Sequence, residues 1–343
     1  MAGPPLSILT PVYNGAGHLA ECVDSVLAQT RGDWEYIIVD NCSTDGTSEI
    51  AREFAAKDDR IRYERYDEFV DQIESHNRAF RAMSPESTYC KVVQADDWLY
   101  PECLDCMMAL AESSPNVGIV SAYRLAGDTV DLVGLPYWKS VAPGREILRQ
   151  SLLGGPYLTG TPTSLLLRSD LVRERQPFYD PTFRHADTEA AYWALTRSDF
   201  GVVHQVLTYS RPRSTGETPV SLRVNSYSPE NLRMLLRYGQ DTLSRIEYRR
   251  RLREELRKYV WWHVKQSLKP SRRRDSAFHA YQRQAAHELL ADASGDREVR
   301  EAVAVIRLLL RPSFVRRSDS RFPAPTTDAT PTSKGTSRRS APS

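Results

Sequence analysis

Over the first 125 residues, short apolar runs alternate with amphipathic stretches. LSILTPV (6–12) is apolar and β-rich. Leu19, Val23, Val26 and Leu27 follow at i, i+4, i+7 and i+8, which predicts a helix with one buried face. EYIIVD (35–40) predicts a second strand and residues 45–57 a helix, with Ile50 and Phe54 four apart. IRYERY (61–66) predicts a third, more polar strand, residues 72–83 a helix, and YCKVVQA (89–95) a fourth strand. Residues 100–112 are helical again, and VGIVSAY (117–123) is a fifth strand. Strands alternating with 10–15-residue helices imply βαβ units and a mainly parallel sheet covered on both faces.

Beyond residue 124 the pattern loosens into Gly, Pro and Tyr. SLLLR (164–168) predicts a further strand, DTEAAYWAL (187–195) a helix start and FGVVHQVLTYSR (200–211) another strand. From about 228 to 311 the composition turns to Arg, Leu, Glu and Tyr and predicts helices. RFPAPTTDATPTSKGTSRRSAPS (321–343) has too little apolar surface to offset its ordering entropy and reads as a disordered tail. The expected organisation is an α/β domain over 1–225, a helical region over 226–320 and the tail.

Composition narrows the class without naming it. The 343 residues are 41% hydrophobic and 26% charged, so the chain can bury a sizeable core. A net charge of +2 gives no whole-protein field for nucleic acid. Cys22, Cys42, Cys90, Cys103 and Cys106 are odd in number and irregular in spacing, which suits a reducing compartment. Cys103 and Cys106 form a CxxC with no second pair or nearby His to complete a zinc site. MAGPPLSILTPVYNG has no basic n-region or long apolar run, and no window reaches the roughly 18–20 apolar residues that span a bilayer. The expectation is a cytoplasmic protein, with peripheral membrane contact left open.

The acidic residues fall where chemistry belongs. Ligands of open parallel sheets bind beyond the carboxyl ends of the strands. There the sequence puts Tyr13 of TPVYN, Asp40 of VDNCSTDGT and the adjacent Asp96 and Asp97 of VVQADDWLYPE. Two neighbouring carboxylates repel, so the pair needs a cation or a solvated turn. Mg²⁺ or Mn²⁺, held by one or two carboxylates and a diphosphate, meets that need. Asp40 can accept from a base N–H, and Tyr13 can stack on the base. Ser43, Thr44 and Asp45 read as caps of the following helix.

ILTPVYNG, IIVDNCSTDGT and VVQADDWLYPE, in this order and spacing, resemble the nucleotide-diphospho-sugar transferases of glycosyltransferase family 2, which have the GT-A fold. The resemblance covers 6–123 and continues more loosely to about 211. It implies that Thr10, Pro11, Tyr13 and Asp40 hold the nucleotide. The family's DxD-type motif is similar to Ala95–Asp96–Asp97, with Asp96 on the sugar diphosphate and Asp97 on the metal; Gln94 stands where an acid is usual. Asp187 in FRHADTEAAYWAL is implied as the catalytic base, with Glu189 as runner-up. GTPTSLLLRSD (160–170) resembles the segment lining the acceptor and donor-sugar pocket. Arg211 and Arg213 sit where relatives have a loop closing over the diphosphate, and their role is left open. The implied activity is inverting, metal-dependent transfer of a sugar, UDP-linked, to a saccharide or lipid-linked acceptor hydroxyl.

His185 and His204 read as structural. RIEYRRRLREELRKYVWWHVKQSLKPSRRR (245–274) is a basic helix that either docks on anionic lipid or forms a helical subdomain with Val260, Trp261 and Val264 packed inside. Nucleic acid is not expected as a partner, because no recognition motif is present. Two rivals remain: a nucleotidyltransferase-like enzyme, although TPVYNGAGH lacks the Lys or Arg of such loops, and a non-catalytic GT-A scaffold. No GxGxxG follows the first strand, which argues against a dehydrogenase.

Overall fold

The computed structural model describes residues 5–212, 217–273 and 275–310. The first half alternates as its hydrophobic pattern requires: β1 (Leu6–Val12), α1 (Leu19–Leu27), β2 (Trp34–Asn41), α2 (Thr47–Lys57), β3 (Ile61–Tyr66), α3 (Gln72–Ala82), β4 (Tyr89–Val92), the short β5 (Trp98–Leu99), α4 (Cys103–Ser113) and β6 (Val117–Ala126). Then come β7 (Thr129–Asp131), β8 (Val141–Ala142), α5 (Gly144–Leu152), a 3-10 turn (Pro162–Ser164), β9 (Leu165–Arg168), α6 (Ser169–Glu174), α7 (Ala186–Leu195) and β10 (Asp199–Ser210). The helices α8 (Glu217–Val224), α9 (Tyr227–Thr242), α10 (Arg245–Ser267), α11 (Pro270–Arg273), α12 (Ser276–Asp292) and α13 (Arg297–Leu309) complete the chain up to residue 310. The tail expected over 321–343 lies outside the described residues.

The ten-stranded sheet runs in the order β3-β2-β1-β4-β9-β6-β10-β5, with β7 beside β6 and β8 beside β10. β1 pairs in parallel with β2 and β4, β2 with β3, and β6 with β10. β9 is antiparallel to both of its neighbours. The sheet is therefore mixed and mostly parallel. The inserted β9 carries the GTPTS segment into its middle, directly beside β4.

Both faces are buried, as continuous apolar strands demand. Leu6 and Ile8 of β1 and Tyr36 and Ile38 of β2 join α1 and α4 in one core. Leu9, Ile37 and Val39 point the other way into a larger core with α3, α5 and α7. Leu232, Tyr248, Leu252, Tyr259, Phe278 and Val299 belong to that same larger core. The C-terminal helices thus close one face of the sheet, and residues 1–310 form one compact unit.

Two local differences from the sequence reading matter. β4 ends at Val92, not 95, because the chain turns through residues 93–97, where the Asp97 N–H meets the Gln94 carbonyl at 2.9 Å. Trp261 is 60% exposed and Val260 only half-buried, while Tyr259 and His263 face the core. The apolar cluster at 259–264 therefore splits across the helix, and Trp261 is not packed inside.

Candidate active site

Strand ends bring the expected residues to one rim, but their side chains divide the work differently. Thr10 is fully buried: its hydroxyl donates to the Val93 carbonyl at 2.7 Å and meets Tyr36 Oη at 2.8 Å. It shares a face with Ile8, so its side chain cannot reach a base. Pro11 is half-buried, and Tyr13 is 49% exposed. The Tyr13 ring lies 4.7 Å from that of Phe69, itself 56% exposed. Two exposed aromatics at a strand-end rim make a platform for a planar ring. Phe69 sits in a polar loop with no periodicity to flag it.

Asp40 is also fully buried. It accepts from the Ser43 N–H (2.8 Å), Ser48 Oγ (2.6 Å), Tyr63 Oη (2.8 Å) and the Arg65 guanidinium (3.1 Å). Burial alone would raise its pKa; these donors, Ser43 and Ser48 foremost, outweigh it and hold the carboxyl below the usual range. Asp40 thus braces the β2–α2 turn.

The turn it braces is stitched to the loop after β1. Ser43 Oγ accepts from the Asn14 N–H (2.9 Å), Thr47 Oγ1 from Gly15 (2.8 Å) and Asp45 Oδ2 from Ala16 (3.1 Å). Asn14 adopts φ 52°, and a Cβ on Gly15 would meet Val12 Cγ2 at 2.6 Å, so this loop needs Gly there. Ser43, read as a helix cap, holds the first loop in place, while Asp45 does both, its Oδ1 accepting from the Thr47 N–H (3.0 Å) at the start of α2.

The acidic pair is asymmetric. Asp97 is 2% exposed; its oxygens accept from Thr163 Oγ1 (2.6 Å), Ser210 Oγ (3.1 Å) and the Arg211 N–H (3.2 Å). Asp96 is half-buried at the rim. Arg211 lies over the Trp98 ring at 5.3 Å, donates to the Asp96 carbonyl at 3.4 Å and pairs with Glu21 at 2.5 Å. Lys91 is wholly buried beneath, its ammonium donating to the carbonyls of Thr163 (2.6 Å) and Leu165 (3.3 Å). Burial pushes the Lys91 pKa down, while Cys103 and Asp97 push it up. The Asp97 carboxylate is thus met by two hydroxyls and a backbone N–H, with the Lys91 ammonium near enough to feel its charge. Arg213 lies outside the described residues.

The donor set fits a metal held by one protein carboxylate together with ligand phosphates, as Mg²⁺ sites commonly are. It does not form an all-protein cage: among the described residues no group of three or more His, Cys, Asp or Glu could hold an ion. Asp97, expected as the metal ligand, has its oxygens committed to Thr163, Ser210 and Arg211; Asp96 is the more accessible oxygen donor.

Asp187 opens α7. Burial pushes its carboxyl above the ordinary range, opposed by the Thr188 N–H at 2.8 Å. Among the described residues it makes no ion pair, and Tyr157, Tyr179 and Tyr227 all lie within reach of its charge. Glu189, two residues on, is fully buried between Arg175, Arg237 and Tyr238. That network spends its carboxylate on structure and removes it as an alternative base. His185 stacks on Tyr227 at 4.4 Å and meets Ser226 Oγ at 2.9 Å; burial lowers its pKa to about 4, which keeps it neutral. His204 bonds Tyr123 Oη and the Lys139 carbonyl.

One ribbon joins the two acids. Thr163 grips Asp97, and Tyr157, in the same stretch, bonds the Gly160 carbonyl and sits beside Asp187. Arg124, paired with Asp131, feels both Asp97 and Tyr157. Residues 7–175 match the family model for glycosyl transferase family 2. That match spans just under half of the chain and assigns this N-terminal part to glycosyltransferase family 2. It is 35% identical over 94 residues to TuaG of Bacillus subtilis (strain 168), a protein named for teichuronic acid biosynthesis, covering 27% of this chain and 36% of TuaG. To EpsE of the same organism, named as a glycosyltransferase, it is 29% identical over 178 residues, 50% of this chain and 59% of EpsE. The chain thus spans less than two thirds of either relative. S. aureus TarS, residues 1–349 with UDP, superposes with a TM-score of 0.62 at 15% identity, covering 92% of this chain and 94% of that one. The mannosyltransferase PcManGT of Pyrobaculum calidifontis, with GDP-Man and Mn²⁺, gives 0.51 at 17% identity, covering 90% and 80%. These likenesses show that the chain has the GT-A fold.

Proposed function

We propose that this family 2 glycosyltransferase is an inverting, metal-dependent enzyme. It would move a sugar from a nucleotide-diphospho-sugar, UDP-linked, to an acceptor hydroxyl in the synthesis of a polysaccharide, glycolipid or other glycoconjugate. The observation that carries this reading is the ribbon 157–164, which neighbours an acid whose pKa burial raises at one end and grips Asp97 of the acidic pair at the other. Tyr13 and Phe69 stack on the base, while Asp40 and the stitched loop at Asn14–Ala16 shape the nucleotide pocket beside Pro11; Thr10 supports it from the core. Asp96 faces the diphosphate, and Asp97 holds Thr163 and the Arg211 backbone in place. Arg211 adds positive charge where the leaving diphosphate develops its own. A Mg²⁺ or Mn²⁺ on Asp96 and the phosphates supplies further neutralisation when bound.

Asp187 takes the proton of the acceptor hydroxyl as that oxygen attacks the anomeric carbon. A single displacement inverts the configuration. Glu189, locked in ion pairs, offers no second carboxylate for a double displacement. Residues 1–225 are taken as the transferase domain and 226–320 as the helical region, of which 311–320 lie outside the described residues. Support for a UDP donor comes from the fold shared with TarS, solved with UDP and with UDP-GlcNAc. The metal reading draws on the Mn²⁺ in PcManGT. No helix among the described residues is long and apolar enough to cross a membrane, and the five cysteines are all free; the latter supports a cytoplasmic site of action.

A thermal-shift comparison of UDP, GDP and their sugar conjugates, with and without Mn²⁺, tests the reading. UDP-sugars are expected to raise Tm, and more so with metal. Stabilisation by GDP alone would redirect the donor, and no response to any nucleotide would remove the reading. Tyr13→Ala and Phe69→Ala are each expected to raise KM for the donor about 10-fold with little change in kcat, since stacking on a base contributes roughly 1–3 kcal/mol. Unchanged KM in both variants would displace the base from this platform.

A further inference from the structure

Helix α10 has two contrasting stripes. Tyr248, Leu252, Leu256, Tyr259, His263 and Gln266 are buried against the core. On the opposite side, Ile246, Arg250, Arg257, Trp261 and Lys265 recur every four to seven residues, ending on Leu268, and all are exposed. Ile246 is 82%, Trp261 60% and Leu268 73% exposed, far beyond what a core helix presents. Arg257 and Trp261 also wall a shallow apolar cavity of about 390 Å³ that Ala302 of α13 closes from the side. On α13, Val305 and Leu308 are exposed too, at 41% and 58%.

The charges on this stripe are poorly matched within the protein. Arg249 and Arg253, beside it, are neutralised by Asp296 (2.6 Å) and Glu298 (2.9 Å). Arg250 reaches Glu254 only at 3.8 Å. Arg245, Arg257 and Lys265 make no ion pair among the described residues, and Lys265 instead lies 5.7 Å from the Trp261 ring. An exposed Trp with flanking aliphatics, set between cations along about 33 Å of one helix, suits the interface of a bilayer. The cations require an anionic surface. A second copy pairing through the same stripe would set arginine against arginine, which disfavours it.

We propose that this stripe docks the protein on an anionic phospholipid bilayer. α10 lies along the surface, with Ile246, Trp261 and Leu268 entering the headgroup zone and Arg245, Arg250, Arg257 and Lys265 on the phosphates. The proposal is independent of the sugar-transfer reading.

Co-sedimentation of the full chain with vesicles tests it. The chain is expected to bind phosphatidylcholine vesicles containing about 30% phosphatidylglycerol, to bind pure phosphatidylcholine weakly, and to release as salt rises from about 0.1 to about 0.5 M. Trp261→Ser should lower partitioning about 10-fold, and the triple variant Arg245→Gln, Arg250→Gln, Arg257→Gln about 100-fold, at roughly a factor of five per charge lost. These side chains are solvent-facing, so Tm should hold; if the triple variant does not fold, Trp261→Ser decides alone. Absence of binding to anionic vesicles overturns the proposal, as does equal binding to neutral ones or wild-type partitioning in the Trp261→Ser variant. Loss of dimer in Trp261→Ser without any vesicle binding would assign the face to a second copy and equally overturn it.

Discussion

Asp187→Asn is expected to lose sugar transfer by about 10²–10⁴-fold while keeping donor binding, the range for removal of a general base. The prediction rests on the position of Asp187: at the start of α7, beside Tyr157, Tyr179 and Tyr227, and with burial raising its pKa. A base must be ionised, so in the native enzyme kcat/KM should fall as pH drops through that raised value, placing the acid limb above the ordinary carboxylate range. Stability runs in the opposite sense. A carboxyl whose pKa rises on folding favours the folded state most fully below its unfolded value, and that contribution is lost as pH rises through the folded value. At neutral pH the ionised Asp187 therefore opposes folding, and Asn should hold or raise Tm. The expected pair is lost transfer with undiminished Tm, read by a product assay and calorimetry on one preparation. Full transfer in the variant would remove Asp187 as the base; a large fall in Tm would assign it to structure.

The largest expected effect on stability is at Arg233. This guanidinium, 3% exposed, reaches Glu230 (3.3 Å), Glu288 (3.0 Å) and Asp292 (2.6 Å), and packs over the Phe183 ring at 4.0 Å. It ties α9 to α12 and to the segment that leads into α7. Arg233→Ala leaves the buried Glu230 carboxylate without its cation, a loss of about 3–5 kcal/mol in comparable pairs. At roughly 2–4 °C per kcal/mol for chains of this size, Tm should fall by about 10 °C. Burial pushes the Glu230 carboxyl up to about 7 even with Arg233 beside it. Without Arg233 that carboxyl should be pushed higher still, so the deficit should narrow as pH falls toward about 7 and change little below it. Adding Glu230→Gln to Arg233→Ala should recover part of the loss; strict additivity of the two substitutions would show that the pair is not coupled.

How much was legible in the sequence depends on the reach of each signal. The strands and helices to residue 123 are local in their periodicity, and the structure follows them to within a few residues. β9 was visible as SLLLR, but its antiparallel insertion beside β4 pairs Tyr89 with Arg168 and Cys90 with Leu167, far apart in the chain, and left no local mark. The candidate site follows the same division. Chain position put Tyr13, Asp40, Asp96 and Asp97 at strand ends, whereas the direction of each side chain depends on parity along the strand and on distant partners. Thr10 turned inward with Ile8, and Asp40 met Ser48, Tyr63 and Arg65. Asp97 found Thr163 and Ser210, 66 and 113 residues away. Phe69, Arg124 and Tyr157 carry no motif at all; only the folded chain brings them to the cleft. The apolar cluster at 259–264 misled because a run of Tyr, Val and Trp says nothing about which helical face each residue occupies.

α7 is held from the C-terminal side: Glu189 by Arg237 and Tyr238 of α9, and His185 by Ser226 and Tyr227. The aim of the proposed proton acceptor is thus set by a part of the polypeptide that shares none of its motif. Chimaeras that graft the last third of one relative onto the nucleotide-binding half of another would inherit a new alignment at the reacting hydroxyl. Excising that third would leave the catalytic half without the buttress that orients its chemistry.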